Sequence, residues 1–443
     1  MPNRHWQSME HTQGKEQLGG AIILLLIYFF LEYVRPANPL GIPLVISLIL
    51  FGWWASLKEK IWAPQVVCLY LLVAVIAVMG PFALNTFSVW VGFQSMVAWL
   101  LCISIPMIHF ANSRRKVRVL IDALIVLHCY LAIFALLQNG FGPGGFVGDE
   151  NDVALAINTM MPLAFCSLLG AQTTRGRLLY IMAVVIMVAG VVATKSRGGF
   201  LGLVAVIAYC FVFSPRKKVG LAIGGVLLLG GLLFVPESYW AEIATIGTDA
   251  ESDVGTGAHR KNLWSVAINM FSANPIFGVG LNNFPWNAGN YMSVELMEHE
   301  GRSYMGTAAH SVYFTILAET GSAGVLVIAA IVYFSVKSIR RILAGARQLE
   351  SLPDLGVKSR ASLLEIKGMA YGLGGGMIGY GVSGIFLTAF VYPHFWYVVA
   401  LIVALAKVSE EMVMDKAFPQ SLRLGKPSLA MRTLKTGVYP PLL

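Results

Sequence analysis

A chain of 443 residues that is 57% hydrophobic and 12% charged carries half the charge of an ordinary soluble domain, which holds about 25%. With a mean hydropathy of +0.70 it is too apolar for a disordered chain, and it fits neither a soluble multidomain enzyme nor a fibrous repeat. The balance of 32 Lys+Arg over 23 Asp+Glu gives +9, which in a soluble protein would suggest nucleic acid. In a chain this apolar the distribution of those cations about a membrane matters more than their sum, and no nucleic-acid partner is expected.

Apolar runs lie near 19–34, 39–56, 64–83, 88–110, 117–138, 152–170, 177–194, 199–214, 219–235, 310–336, 367–388 and 390–407. At roughly 20 residues per crossing they predict an all-α polytopic membrane protein of about 12 transmembrane helices. The division is nine helices in 1–235, a large loop over 236–309, three helices in 310–407 and a tail over 408–443. Cations gather in alternate connections: Arg114, Arg115, Lys116 and Arg118, then Arg175 and Arg177, then Arg216, Lys217 and Lys218, then seven between Lys337 and Lys367. With both termini inside, six cations face outward (Arg35, Lys195, Arg197, Arg260, Lys261, Arg302) and the other 26 face inward. That asymmetry makes the tail cytoplasmic and the large loop external. Eighteen polar residues precede the first run, and Glu32, Tyr33 and Arg35 close it without a small-residue cleavage site, so the first helix is expected to remain as an anchor. Five cysteines all fall within proposed spans and form no CxxC pair, which suggests neither a disulfide framework nor a zinc site.

Within the loop, Leu263, Trp264, Ala267, Ile268 and Phe271 recur at spacings of three and four, predicting an amphipathic helix over Ala258–Ser272 that lies on the bilayer surface. Asn274-Pro275 ends it, because a residue before proline is pushed out of the α region. Gly278-Val279-Gly280 then reads as a turn.

Three cations stand where apolar helices meet the outer surface. Arg197, in Lys195-Ser196-Arg197-Gly198-Gly199, sits between two helices joined almost without a loop. Its two glycines admit close approach, and its guanidinium can grip a phosphate through two parallel hydrogen bonds. Arg260 opens the amphipathic helix, and Arg302 lies in a looser Gly301-Arg302-Ser303-Tyr304 stretch. Each is also consistent with an ordinary headgroup-facing arginine. His310 opens the tenth span and can accept a proton near neutral pH, although a histidine so placed is more often a hydrogen-bonder than a base. His109 and His128 read as bundle hydrogen-bonders. Glu319 lies nine residues further on, about 13 Å deeper along a continuous helix and on the opposite side, so it reads as a structural partner in the bundle. Gly321 and Gly324 permit close packing just below it. Asp149-Glu150-Asn151-Asp152 reads first as a helix N-cap and second as a binder of sugar hydroxyls.

Three motifs together resemble the O-antigen ligase and polymerase superfamily of bacterial membrane glycosyltransferases. Ser196-Arg197-Gly198-Gly199-Phe200-Leu201-Gly202 opens a span as the family's Ser-Arg-Gly motif does. Arg260-Lys261-Asn262-Leu263-Trp264 followed by Asn274-Pro275-Ile276-Phe277-Gly278-Val279-Gly280 resembles its large-loop pattern. His310-Ser311-Val312-Tyr313-Phe314, with Leu317, Glu319, Gly321 and Gly324, resembles its His-Asn-x-Tyr-Leu pattern, with Ser311 where Asn is usual and Phe314 where Leu is usual. The resemblance implies an enzyme of the bacterial inner membrane whose active site faces the periplasm, with one large periplasmic loop that contains short helices. Its donor would be a glycan on undecaprenyl diphosphate and its acceptor the lipid A–core oligosaccharide. Arg197 and Arg260 would bind the diphosphate, His310 would act as base or orienting group, and Lys195, Arg302 and Tyr313 would line the substrate. No cofactor or metal is expected. A second lipid-linked repeat or a protein serine or threonine is the alternative acceptor. A lipid-linked glycan flippase is the competing class, for which broken helices and midplane charges would be the signature.

Overall fold

The computed structural model describes residues 17–37, 41–213, 256–351 and 356–417, and apart from one isolated bridge between Gly144 and Val147 its regular structure is helical. Eleven of the twelve apolar runs coincide with helices: α1 (Gly20–Val34), α2 (Ile42–Ser56), α3 (Pro64–Met79), α4 (Thr86–Phe110), α5 (Arg114–Leu137), α6 (Glu150–Gly170), α7 (Thr174–Ala193), α8 (Arg197–Phe213), then α10 (Val312–Glu350), α11 (Val357–Ser383) and α12 (Pro393–Ala417). Between them α9 (Thr256–Ala273) belongs to the loop. The run at 219–235, the cations Arg216, Lys217 and Lys218, and the loop's first part, 236–255, lie outside the described residues. Among the described residues six helices (α3 with its 3₁₀ extension, α4, α5, α6, α7 and α10) are long and apolar enough to cross a membrane, while α1, α2 and α8 are apolar but shorter.

Helix starts follow from their caps. Asn85, Ser113, Asp149 and Thr173 each accept a backbone N–H of the first turn through the side chain, and Asp149 with Asp152 forms a reciprocal capping box. Inside α4 the segment Ala98–Ser104 widens to a π-helix just before Pro106, whose ring removes one backbone donor.

The bundle has two distinct ends. At one, Arg114 and Arg118 pair with Glu365 at 2.5 and 3.3 Å, and Lys367 pairs with Glu350 at 3.0 Å. At the other, Asn283 bonds Asn85, Ser196 bonds Asn151, His310 bonds Thr388, and the Arg35 guanidinium stands 5.0 Å over the Phe146 ring. Helices α6 and α11 touch almost backbone to backbone. A Cβ on Gly372 would stand 2.9 Å from the Leu163 Cα, and one on Gly379 would stand 2.1 Å from the Asn158 carbonyl oxygen.

Helix α10 is not one rod. Its 39 residues would reach about 58 Å, nearly twice a bilayer's apolar core, and the helix breaks at Gly321, where φ is 60° and ψ −162°. The continuous helix expected through Glu319 is therefore corrected: Val312–Thr320 and the stretch after Gly321 are separate pieces. Groups freed by the break bond the loop. Ser322 and Ala323 N–H donate to the Pro275 and Ile276 carbonyls, and Val279 and Gly280 N–H donate to the Ala318 and Glu319 carbonyls, all at 2.8–3.0 Å. The opened backbone is satisfied because the loop supplies its hydrogen-bond partners.

Helix α9 is also corrected. It turns Leu263, Val266, Ala267 and Met270 into a cluster with Val279, Phe284, Tyr304 and Ala318, while Ile268 is exposed. Its apolar face is covered by the loop's own core and by α10 rather than offered to a bilayer.

Candidate functional site

Arg197 begins α8 after a connection of three residues. Lys195 takes a left-handed turn there (φ 52°), and the buried Ser196 hydroxyl caps α8 by accepting the Gly199 N–H at 2.9 Å. The same hydroxyl donates to Asn151 Oδ1 at 2.6 Å, which fixes the start of α8 to the first turn of α6. Gly199 is required by that contact, since a Cβ would come within 2.5 Å of the Ala154 Cβ. One helical turn deeper, Asn158 Nδ2 donates to the Gly199 carbonyl at 2.8 Å and to Ser383 Oγ at 3.1 Å, joining α6, α8 and α11.

Phe386 lies between Arg260 and the first turn of α8. It packs against Gly198, whose added Cβ would meet the Phe386 Cβ at 3.1 Å, and the Arg260 guanidinium stands 5.7 Å from the centre of its ring. Arg260 is half-buried, and this burial, with the positive charge of Arg197 beside it, makes its charged form less favourable. Two half-buried guanidinium groups near each other concentrate positive charge at this end of the bundle.

His310 sits beside them. Its backbone is left-handed (φ 47°), which is uncommon for a residue with a Cβ, and its N–H donates to Thr388 Oγ1 at 2.9 Å. Burial first, then the charges of Arg260 and His259, hold the imidazole below its ordinary pKa, with Asp149 pulling the other way. At neutral pH the imidazole is therefore unprotonated and able to accept a proton. Burial likewise lowers the neighbouring His259, whose ring meets Tyr304 edge-on at 4.8 Å.

Arg197, Arg260 and His310, from three separate stretches of chain, thus meet at one end of the bundle. The other residues singled out by sequence fall around them unevenly. Lys195 is exposed next to Arg197. Tyr313 is 52% exposed and spends its hydroxyl on the Gly381 carbonyl at 2.9 Å. Arg302 is largely exposed and lies 3.8 Å from Glu300. Glu319 is buried, and its two oxygens accept the N–H groups of Phe284 and Asn282, each at 2.9 Å. Its partner is the loop rather than the bundle. His394, which the sequence leaves open, shares a 2.8 Å hydrogen bond through Nδ1 with the Tyr33 hydroxyl, and His109 Nε2 accepts the Ile61 N–H at 2.7 Å. Among the described residues no group of three His, Cys, Asp or Glu side chains converges as a metal site would require.

Sequence reasoning missed Phe386, Thr388 and His259. The first two lie in the α11–α12 connection, at the end of an apolar run, where nothing in spacing marks them. His259 carried one available signal, its position directly before Arg260.

Residues 182–329 match the family model described as O-antigen ligase, and this stretch contains Arg197, Arg260 and His310. No curated protein matches the chain.

Proposed function

We propose that this chain, which joins the O-antigen ligase superfamily through residues 182–329, transfers a glycan from undecaprenyl diphosphate to the lipid A–core oligosaccharide at the periplasmic face of the bacterial inner membrane. The observation that carries the reading is the convergence of two guanidinium groups and a neutral imidazole at one end of an apolar bundle. Arg197 and Arg260 bind the diphosphate and stabilise the negative charge that grows on it as the glycosidic bond breaks. His310 accepts the proton of the acceptor hydroxyl as that oxygen bonds the anomeric carbon from the opposite side. One displacement of this kind inverts the anomeric configuration. The lipid diphosphate leaves carrying the bond's electrons, with the guanidinium pair supplying the counter-charge, so the step is proposed to be metal-independent. Lys195, Arg302 and Tyr313 line the approach to this centre.

The test is a membrane reconstitution with lipid-linked glycan and purified core lipid. Glycan joined to core lipid is the expected product. A lengthened lipid-linked glycan would make the chain a polymerase, and glycan on serine or threonine would make it a protein oligosaccharyltransferase. Translocation of the donor without transfer would make it a flippase and overturn the reading. Arg197→Ala and Arg260→Ala should each weaken donor use by about 1.5–3 kcal/mol, the worth of a lost charge-assisted hydrogen bond. Lysine at either position should restore only part, because it keeps the charge but loses the planar fork.

A further inference from the structure

We infer that the clasp around Glu319 is a register lock for the site, and that Glu319 is a positioning residue holding α9 at the axial setting where Arg260 meets His310. The inference rests on the proposed roles of those two residues. Helix α9 and the segment Val312–Thr320 lie side by side and advance in the same direction. Arg260 is beside His310 at the start. Trp264 stacks on Phe314 further along, with ring centres 4.9 Å apart and planes 16° from parallel. At the far end Pro275 and Ile276 accept N–H groups of Ser322 and Ala323.

A parallel helix pair held by stacking alone can slide, and a slip of one residue displaces it by about 1.5 Å. The far end prevents this. Four backbone hydrogen bonds cross between the loop and the break in α10, and the Glu319 carboxylate adds two more by spanning the Asn282 and Phe284 N–H groups. The same loop is anchored sideways to the start of α4, where Asn283 Oδ1 accepts the Asn85 N–H at 2.8 Å and Asn283 Nδ2 donates to the Asn85 carbonyl at 3.0 Å. Two glycines make the approach possible. A Cβ on Gly278 would meet the Ala318 carbonyl oxygen at 2.4 Å, and one on Gly321 would meet the Ile276 carbonyl carbon at 2.5 Å. The clasp touches neither Arg260 nor His310, so it acts on the site only through the setting of one helix against the other.

A misplacement of about 1 Å is enough to cost on the order of 100-fold in rate while leaving each binding group intact. Glu319→Gln keeps one acceptor and turns an amide N–H toward the other backbone donor. It should therefore lower kcat about 10- to 100-fold, with donor KM and directly measured donor binding nearly unchanged. Gly321→Ala breaks the same clasp through an independent contact and should show the same split, and Glu319→Asp should recover part of the rate. If the clasp only stabilises the fold, binding and turnover will fall together with the folded fraction, and that result would overturn the inference. Nitroxide labels at Ser265 and Tyr313 provide a reading that needs no activity. They should give one narrow distance in the parent and a shifted or broadened one with Glu319→Gln, and an unchanged narrow distance would also sink the lock. A parent that binds donor but transfers nothing would instead count against the proposed function, and the label distances would still decide the register.

Discussion

At His310 burial and the charges of Arg260 and His259 outweigh the opposing pull of Asp149, and the sign of the resulting pH dependence follows. Burial, Arg260 and His259 hold the imidazole below its ordinary value near 6.5, so the base is unprotonated at pH 7 and is lost only as pH falls through that lowered value. The kcat/KM profile for transfer should show an acid limb below about pH 6.5. His310→Gln keeps a hydrogen-bonding group but removes the base, and should abolish the limb while lowering the plateau by about 10²–10⁴-fold. A limb that persists in the glutamine variant would assign it to another group. Arg197, Arg260 and His310 were legible in the sequence because each stands at the start of an apolar or amphipathic helix on the cation-poor side, within a motif that resembles the family's. Thr388 and Phe386 were not, because what recruits them is the packing of the α11–α12 connection against Gly198 and His310, a contact made 78 residues along the chain from His310.

Hydropathy located the helices because each must bury or expose an apolar surface along its whole length. It gave no sign of the break at Gly321, since apolar sequence continues on both sides and the groups that satisfy the opened backbone come from the loop, as in the Glu319 bond to a residue 35 positions earlier. Nor could it reveal how α6 and α11 approach. Gly379 lies against the Asn158 carbonyl, and Asn158 in turn ties Gly199 and Ser383 together just below Arg197. Gly379→Ala should therefore force the pair apart and cost about 1–3 kcal/mol, the usual range for overpacking. The loss is measurable as a lower thermal midpoint in detergent. Gly52→Ala is the matched control: nothing lies within 4 Å of its added Cβ, and its effect should stay within about 0.5 kcal/mol. Equal destabilisation by both would mean that the α6–α11 contact is not close-packed.

For the molecule as a whole, the two ends of the bundle differ in kind, and that difference makes the orientation testable. One end is laced by ion pairs among Arg114, Arg118, Glu365, Lys367 and Glu350, and it belongs to two connections that hold 11 of the 26 cations assigned inward. Among the described residues the other carries few cations, and two of them, Arg197 and Arg260, lie close enough for the charge of one to act on the other. After the break at Gly321, the 29 residues from Ser322 to Glu350 reach about 43 Å, more than the roughly 30 Å of a bilayer's apolar core. A crossing therefore fits within that stretch even if it is tilted, and the loop and the end of α10 should lie on opposite sides. A reporter active only in the periplasm should be active when fused at Ala250 and silent at Glu350, and a cytoplasmic reporter should give the reverse. The same compartment at both positions would remove a crossing between them and leave the candidate site facing the wrong side for a donor whose glycan projects outward. Adding lysines beside the outer ends of α3 and α4, at Leu84 and Phe87, should weaken that orientation, because both side chains are exposed at an end otherwise poor in cations. The fraction of chains with the reversed reporter pattern should rise with each added lysine if cation asymmetry sets the topology, and stay flat if the large loop sets it by its bulk.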